Sequence, residues 1–139
     1  MSTDLRAALD YELRNDATLT AIVGSRIARA GDASQTWTGD DFLVWFFVSG
    51  VPEIHQGGSA QLESVRVQID CYGANCKRAA NAVRSLLQLT TGSVGNPADP
   101  VTVKTITLDN EFDSFDAPSG GSAKSIQRCT QEYLVWLVR

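Results

Sequence analysis

Seven consecutive apolar residues, Phe42-Leu43-Val44-Trp45-Phe46-Phe47-Val48, lie between Asp40-Asp41 and Ser49-Gly50. A strand points successive side chains to opposite faces of its sheet. Phe42, Val44, Phe46 and Val48 therefore share one face, and Leu43, Trp45 and Phe47 the other. Both faces are apolar, so both need cover. Leu134-Val135-Trp136-Leu137-Val138 repeats the pattern near the C-terminus. A chain of 139 residues with few helices is short of material to cover both faces, and a second subunit is the natural cover.

The length fits a single α+β domain spanning residues 1–139, one that buries roughly two-thirds of its unfolded surface. A hydrophobic content of 43% with 20% charged residues argues for a packed core and against general disorder. No apolar run approaches the roughly 20 residues that span a bilayer. Met1-Ser2-Thr3-Asp4-Leu5-Arg6 has no basic region leading into an apolar one, so a cytoplasmic site of synthesis and assembly is expected. The net charge of −4 argues against a reader of nucleic acid held by phosphate contacts, though not against DNA that passes without being gripped.

Ser2 or Thr3 can cap a first helix with Leu5, Leu9 and Leu13 on its apolar stripe. A short second helix spans Ala17 to Val23 and stops at Gly24. A brief strand follows at 26–28, then a polar loop at 31–39 around Trp37. The apolar strand runs from about Asp41 to Val48, with Ser49-Gly50-Val51-Pro52 expected to end it. Leu62 to Tyr72 alternates cleanly, placing Val65, Val67, Ile69 and Cys71 inward and Arg66, Gln68, Asp70 and Tyr72 outward. The main helix extends from Asn75 to about Leu89, with Ala79, Val83, Leu86 and Leu87 on its apolar face. Residues 90–100 read as loop, 101–108 as strand, 109–125 as an acidic and then Gly/Ser-rich connection, and 126–139 as the last strand. The expected architecture is a mainly antiparallel sheet of four to five strands. One long helix and one or two shorter ones pack on one face.

Chemistry-bearing patterns are sparse. Asp109, Glu111, Asp113 and Asp116 lack the glycine and glutamate spacing of a calcium loop and read as a solvated acidic loop. His55 is the only imidazole, and no sequence pattern pairs it with a nucleophile. Cys71, Cys76 and Cys129 form no CxxC pair. Cys71 falls on the apolar phase of its strand, which favours a reduced buried thiol. No catalytic residue, cofactor or metal ligand is expected. Lys77-Arg78 opposes the dipole at the start of the main helix. It reads either as a contact for an acidic partner, such as a neighbouring subunit's 109–116 segment, or as a solvated basic face shared with Arg84. Trp45 and Trp136 fit core or interface, and Trp37 in its loop fits an interface.

Asp4-Leu5-Arg6-Ala7-Ala8-Leu9 followed by Leu19-Thr20-Ala21-Ile22-Val23-Gly24-Ser25-Arg26-Ile27 resembles the opening of the tail-completion, or tail-terminator, proteins of long-tailed phages. The similarity continues through Val44-Trp45-Phe46, Val48-Ser49-Gly50 and Val65-Arg66-Val67-Gln68-Ile69-Asp70-Cys71-Tyr72-Gly73. A helix with Ala79, Ala82, Val83 and Leu87 and the closing Glu132-Tyr133-Leu134-Val135-Trp136 complete it. This chain departs from the pattern in its acidic 109–125 connection and in the aromatic character of 42–48.

The resemblance implies a hexameric ring at the head-proximal end of a phage tail. The ring docks on the tail tube protein, ends tube growth, meets a neck or stopper protein and lets viral DNA through its lumen. It implies a structural virion protein with no membrane partner. A net-negative lumen would let DNA slide. Residues assigned on this basis to subunit or partner contact are Trp37, Leu43, Trp45, Phe47, His55, Gln56, Lys77, Arg78, Glu111, Asp113, Asp116 and Trp136. Loops 51–61 and 109–125 are expected to order on binding. Alternatives are another head–tail connector or neck protein, a small oligomeric α+β ligand-binding domain, and a metal-dependent hydrolase using the acidic segment.

Overall fold

A computed structural model describes residues 2–29, 41–54, 61–116 and 126–138. The elements run α1 (Ser2–Asn15), α2 (Ala17–Val23), β1 (Ile27–Arg29), β2 (Phe42–Ile54), β3 (Gln61–Tyr72), α3 (Cys76–Gln88), β4 (Gly92–Val94), β5 (Val101–Asp116) and β6 (Ile126–Val138). The strands form one six-stranded sheet in the order β1-β2-β3-β6-β5-β4. Pairing is antiparallel except between β1 and β2, where Ile27 lies beside Leu43 in parallel. The α+β class holds, with six strands rather than four to five and one parallel pair.

All three helices lie on one side of the sheet, α3 against β3, β5 and β6, and α1 against β4 and β5. The reason is in the alternation. The inward phase of β3 (Val65, Val67, Ile69, Cys71) is in register with Leu43, Trp45 and Phe47 of β2 and with Cys129, Gln131, Tyr133 and Val135 of β6. That shared face receives Leu5, Leu9 and Leu13 of α1 and Ala79, Val83 and Leu87 of α3, all buried. Each fully buried leucine there contributes about 1.5–3 kcal/mol of transfer free energy.

Two helix boundaries have clear local causes. Asp16 caps α2, its carboxylate accepting the Leu19 N–H at 2.9 Å, and Gly24 ends the helix at φ +60°. Asn75 precedes α3 without capping it through its side chain. Asp41 instead accepts both the Asn75 backbone N–H and its side-chain amide at 2.9 Å, tying the start of β2 to the start of α3. Gly73 makes this approach possible. At φ +113°, a Cβ there would stand 2.3 Å from Asp41 Oδ1 and 2.9 Å from its Cα.

Three sequence expectations are overturned. β2 does not stop at Ser49–Pro52 but continues to Ile54 after a register shift between Phe47 and Ser49. Among the described residues β1 covers only Leu43–Trp45 of its outer side, so Pro52 stands on a free edge where a missing N–H breaks no ladder there. Residues 92–94 form the short strand β4 against Val101–Val103. The acidic stretch 109–116 is strand, not loop. It pairs along β6 from Asn110 opposite Glu132 to Asp116 opposite Ile126. The expected loops 51–61 and 109–125 are therefore strand at 51–54, 61 and 109–116, and their remaining residues lie outside the described ones.

Candidate functional site

The acidic strand is held by the chain's own main helix. Lys77 Nζ meets Asp113 Oδ2 at 2.9 Å, and Arg84 pairs with Glu111. For Lys77 and Arg84 the acidic partner is the chain's own 111–113 segment, while Arg78 makes no ion pair among the described residues. Lys77 and Asp113 pair within one chain, as Arg84 and Glu111 do, so the acidic segment meets basic residues of its own chain. Gln131, fully buried, donates to Glu111 Oε2 at 2.7 Å and to the Ala80 carbonyl at 3.1 Å, and accepts from the Tyr133 hydroxyl at 2.9 Å. Desolvation opposes ionisation of Glu111, but the hydrogen bonds from Gln131 and Arg84 outweigh it and hold the carboxyl below its usual range. The network clamps α3 to β5 and β6.

The three thiols are buried and free. Cys129 Sγ donates to Asp113 Oδ1 at 3.0 Å and lies 3.6 Å from Cys76 Sγ. Burial, and for Cys129 the adjacent carboxylate, pushes the Cys71 and Cys129 thiols up. The hydrogen bond from Cys129, then that from Lys77, pulls Asp113 down. Protonated, buried thiols are the opposite of what nucleophilic chemistry needs. Among the described residues no three His, Cys, Asp or Glu side chains converge to hold a metal ion, and no helix is long and apolar enough to cross a membrane.

Leu43 and Trp45 are 0% and 1% exposed in the chain's own core, so neither presents to a partner. Trp45 takes the core alternative, with its indole N–H lacking a hydrogen-bond partner among the described residues. Phe47 is half-buried on the same face, beneath the Arg6 guanidinium 4.9 Å from its ring centroid. Trp136 lies on the opposite face, between Ser64 and Thr105, and is half-buried. The two indoles therefore stand on different faces of the sheet. Asp116 closes β5 opposite Ile126. Trp37, His55 and Gln56 lie outside the described residues.

No helix among the described residues covers the second face of the sheet. Its rows read Phe42–Tyr72–Arg128–Ser114, Val44–Asp70–Thr130–Phe112 and Phe46–Gln68–Glu132–Asn110, then Arg66–Leu134–Thr107 and Ser64–Trp136–Thr105. Phe42 stacks on Tyr72 at 4.7 Å, and Thr130 donates to the buried Asp70 at 2.7 Å. Arg66 pairs with Asp109. Phe112 is 45% exposed on this face, unusual for an aromatic in mid-strand. Sequence reasoning placed the unmet demand for cover on β2 correctly but on the wrong phase. The register Trp45–Ile69, which joins the apolar phases of β2 and β3, decides it.

A second candidate surface lies in the helix layer. A cleft of about 650 Å³ opens between α2 and α3, with Ala21, Ile22, Ala82, Leu86 and Leu89 as its apolar lining and Asp16 and Arg78 as its charged lining. Leu89, just past the end of α3, is 82% exposed. Arg78 has no ion pair among the described residues, and of the twelve residues assigned to contact it is the one placed here. The helix's apolar spacing gave Leu86, but Leu89 read only as a helix end, and nothing local signals a cleft between two helices.

The chain matches no protein-family model, and no curated protein matches it. Its fold is similar to that of a chain in a solved structure described as the virion of a native gene transfer agent particle. The TM-score is 0.71 over 99% of this chain and 97% of that one, at 15% sequence identity. At that identity the likeness is one of fold, and it extends over essentially the whole of both chains.

Proposed function

We propose that this chain is a structural virion protein that forms a ring at the head-proximal end of a phage-type tail, caps the tube and joins it to the head. The observation that carries this reading is the near end-to-end likeness of fold to a chain of a gene transfer agent virion. The sequence resemblance to tail-terminator proteins supports the finer role, and the sheet face without a helical cover supplies a surface that another subunit can occupy. The reading involves no catalysis. Six copies follow from the family resemblance alone. A net charge of −4 suits a conduit through which DNA moves without adhering.

The role is tested by removing the protein from particle assembly. Tubes of uncontrolled length and unjoined heads are expected, with purified protein restoring uniform tubes. Tubes of normal length that still lack heads would instead assign the chain to a neck or connector position beyond the tube end.

A further inference from the structure

We infer that neighbouring copies join head to tail, with Phe112 and Glu132 on the sheet face of one copy entering the α2–α3 cleft of the next. The inference rests on the ring reading and specifies its contact surfaces. Glu132 lies opposite Asn110 on β5, and Phe112 is two residues further along the same strand, so the two side chains are diagonal neighbours on one face. Together they present an exposed aromatic beside a carboxylate. Glu132 receives only a 3.4 Å hydrogen bond from Asn110 and makes no ion pair among the described residues. On the same face Arg66 pairs with Asp109, Asp70 is buried and Arg128 lies one row beyond Thr130, so Glu132 is the carboxylate there that a partner's cation can meet.

The cleft offers the complement. Ile22, Leu86 and Leu89 form an apolar seat; Asp16 also lines the cleft but is engaged in capping α2 through the Leu19 N–H, and Arg78 supplies a cation with no ion pair among the described residues. Leu89, at 82% exposure, gains cover when an aromatic enters. The two surfaces lie on opposite layers of the same molecule, so they match as unlike partners. Such a heterologous contact propagates in one direction and closes into a ring when its rotation permits. A two-fold dimer would need one of these patches to match itself. The pairing of the Glu132 carboxylate with the Arg78 cation favours the unlike contact.

The test is native mass measurement across a dilution series, with melting curves at the lowest concentration to confirm folding. Phe112→Ser, Leu89→Ser, Arg78→Glu and Glu132→Lys should each weaken assembly by about 10-fold or more. Arg78→Glu and Glu132→Lys combined in one chain should recover most of that loss, since every copy carries both surfaces. If the wild type assembles and all four variants match it, or the double variant is no better than either single one, the contact is overturned while the ring stands. Normal assembly of Leu89→Ser and Arg78→Glu with lost tube capping would place an unlike protein in the cleft and also overturn it. A wild type that stays monomeric both alone and on tubes overturns the ring reading and this contact with it.

Discussion

Replacing Glu111 with alanine tests the clamp between α3 and the acidic strand. The Gln131 amide has two protons, one directed at the Ala80 carbonyl and the other at Glu111. With Glu111 gone, one donor is orphaned in a fully buried position, costing about 1–3 kcal/mol. The Arg84 pair adds less than about 1 kcal/mol, because both side chains are about a third exposed (33% and 32%) and solvent screens them. The expected loss is therefore about 2–3 kcal/mol. In a chain of this length that corresponds to a fall of roughly 6–12 °C in melting temperature. Glu111→Gln keeps an acceptor for Gln131 and should lose roughly half as much.

The pH dependence gives the same experiment a second reading. Glu111 titrates below its ordinary value when folded, so its contribution is fully present above the unfolded carboxyl value of about 4.3 and fades as pH falls through the folded value. The gap between wild type and Glu111→Ala should be complete at pH 7 and narrow below about pH 4. Thermal melts at a series of pH values, at a concentration where the chain is monomeric, measure both. A variant melting within 2 °C of wild type at about pH 7, or a gap that widens in acid, would refute the reasoning.

Other outcomes follow from the same packing. Gly73→Ala forces a Cβ against the Asp41 backbone at positive φ and should cost more than about 1 kcal/mol in urea unfolding. Trp45→Ala should cost about 3–5 kcal/mol by the same measure, as befits a core indole, and should unfold the monomer rather than merely separate subunits. Leu89→Ser should leave monomer stability within about 0.5 kcal/mol, since the side chain is already in water. All three thiols should resist an aqueous thiol reagent in the native state and react together once the chain unfolds in urea.

Much of the fold was legible because it rests on strong local signals. The leucine stripe of α1, the Gly24 stop of α2 and the alternation of β3 each encode one element with little help from the rest of the chain, whereas the Asp16 cap of α2 emerged only in the structure. The acidic half of β5 was not legible. Asp-Asn-Glu-Phe-Asp-Ser-Phe-Asp reads as loop by composition, and only cross-strand pairing and the cations of α3 make it a strand. Pro52 misled in the same way, because its effect depends on whether β2 is central or at an edge.

The contact residues were the least legible part. Face assignment on β2 depends on register with β3, a non-local quantity that a doubly apolar strand does not reveal by itself. The choice of Leu43, Trp45 and Phe47 over Phe42, Val44 and Phe46 therefore fell on the covered side. Of the basic pair, Lys77 makes an ion pair and Arg78 makes none among the described residues, a difference set by one helical step of about 100° about α3.

Native mass of the purified protein, alone and mixed with tube protein, tests the central claim most directly. The account predicts a closed ring, six copies by family resemblance, either free in solution or formed on the tube end. A chain that remains a monomer or a two-fold dimer under both conditions would contradict it.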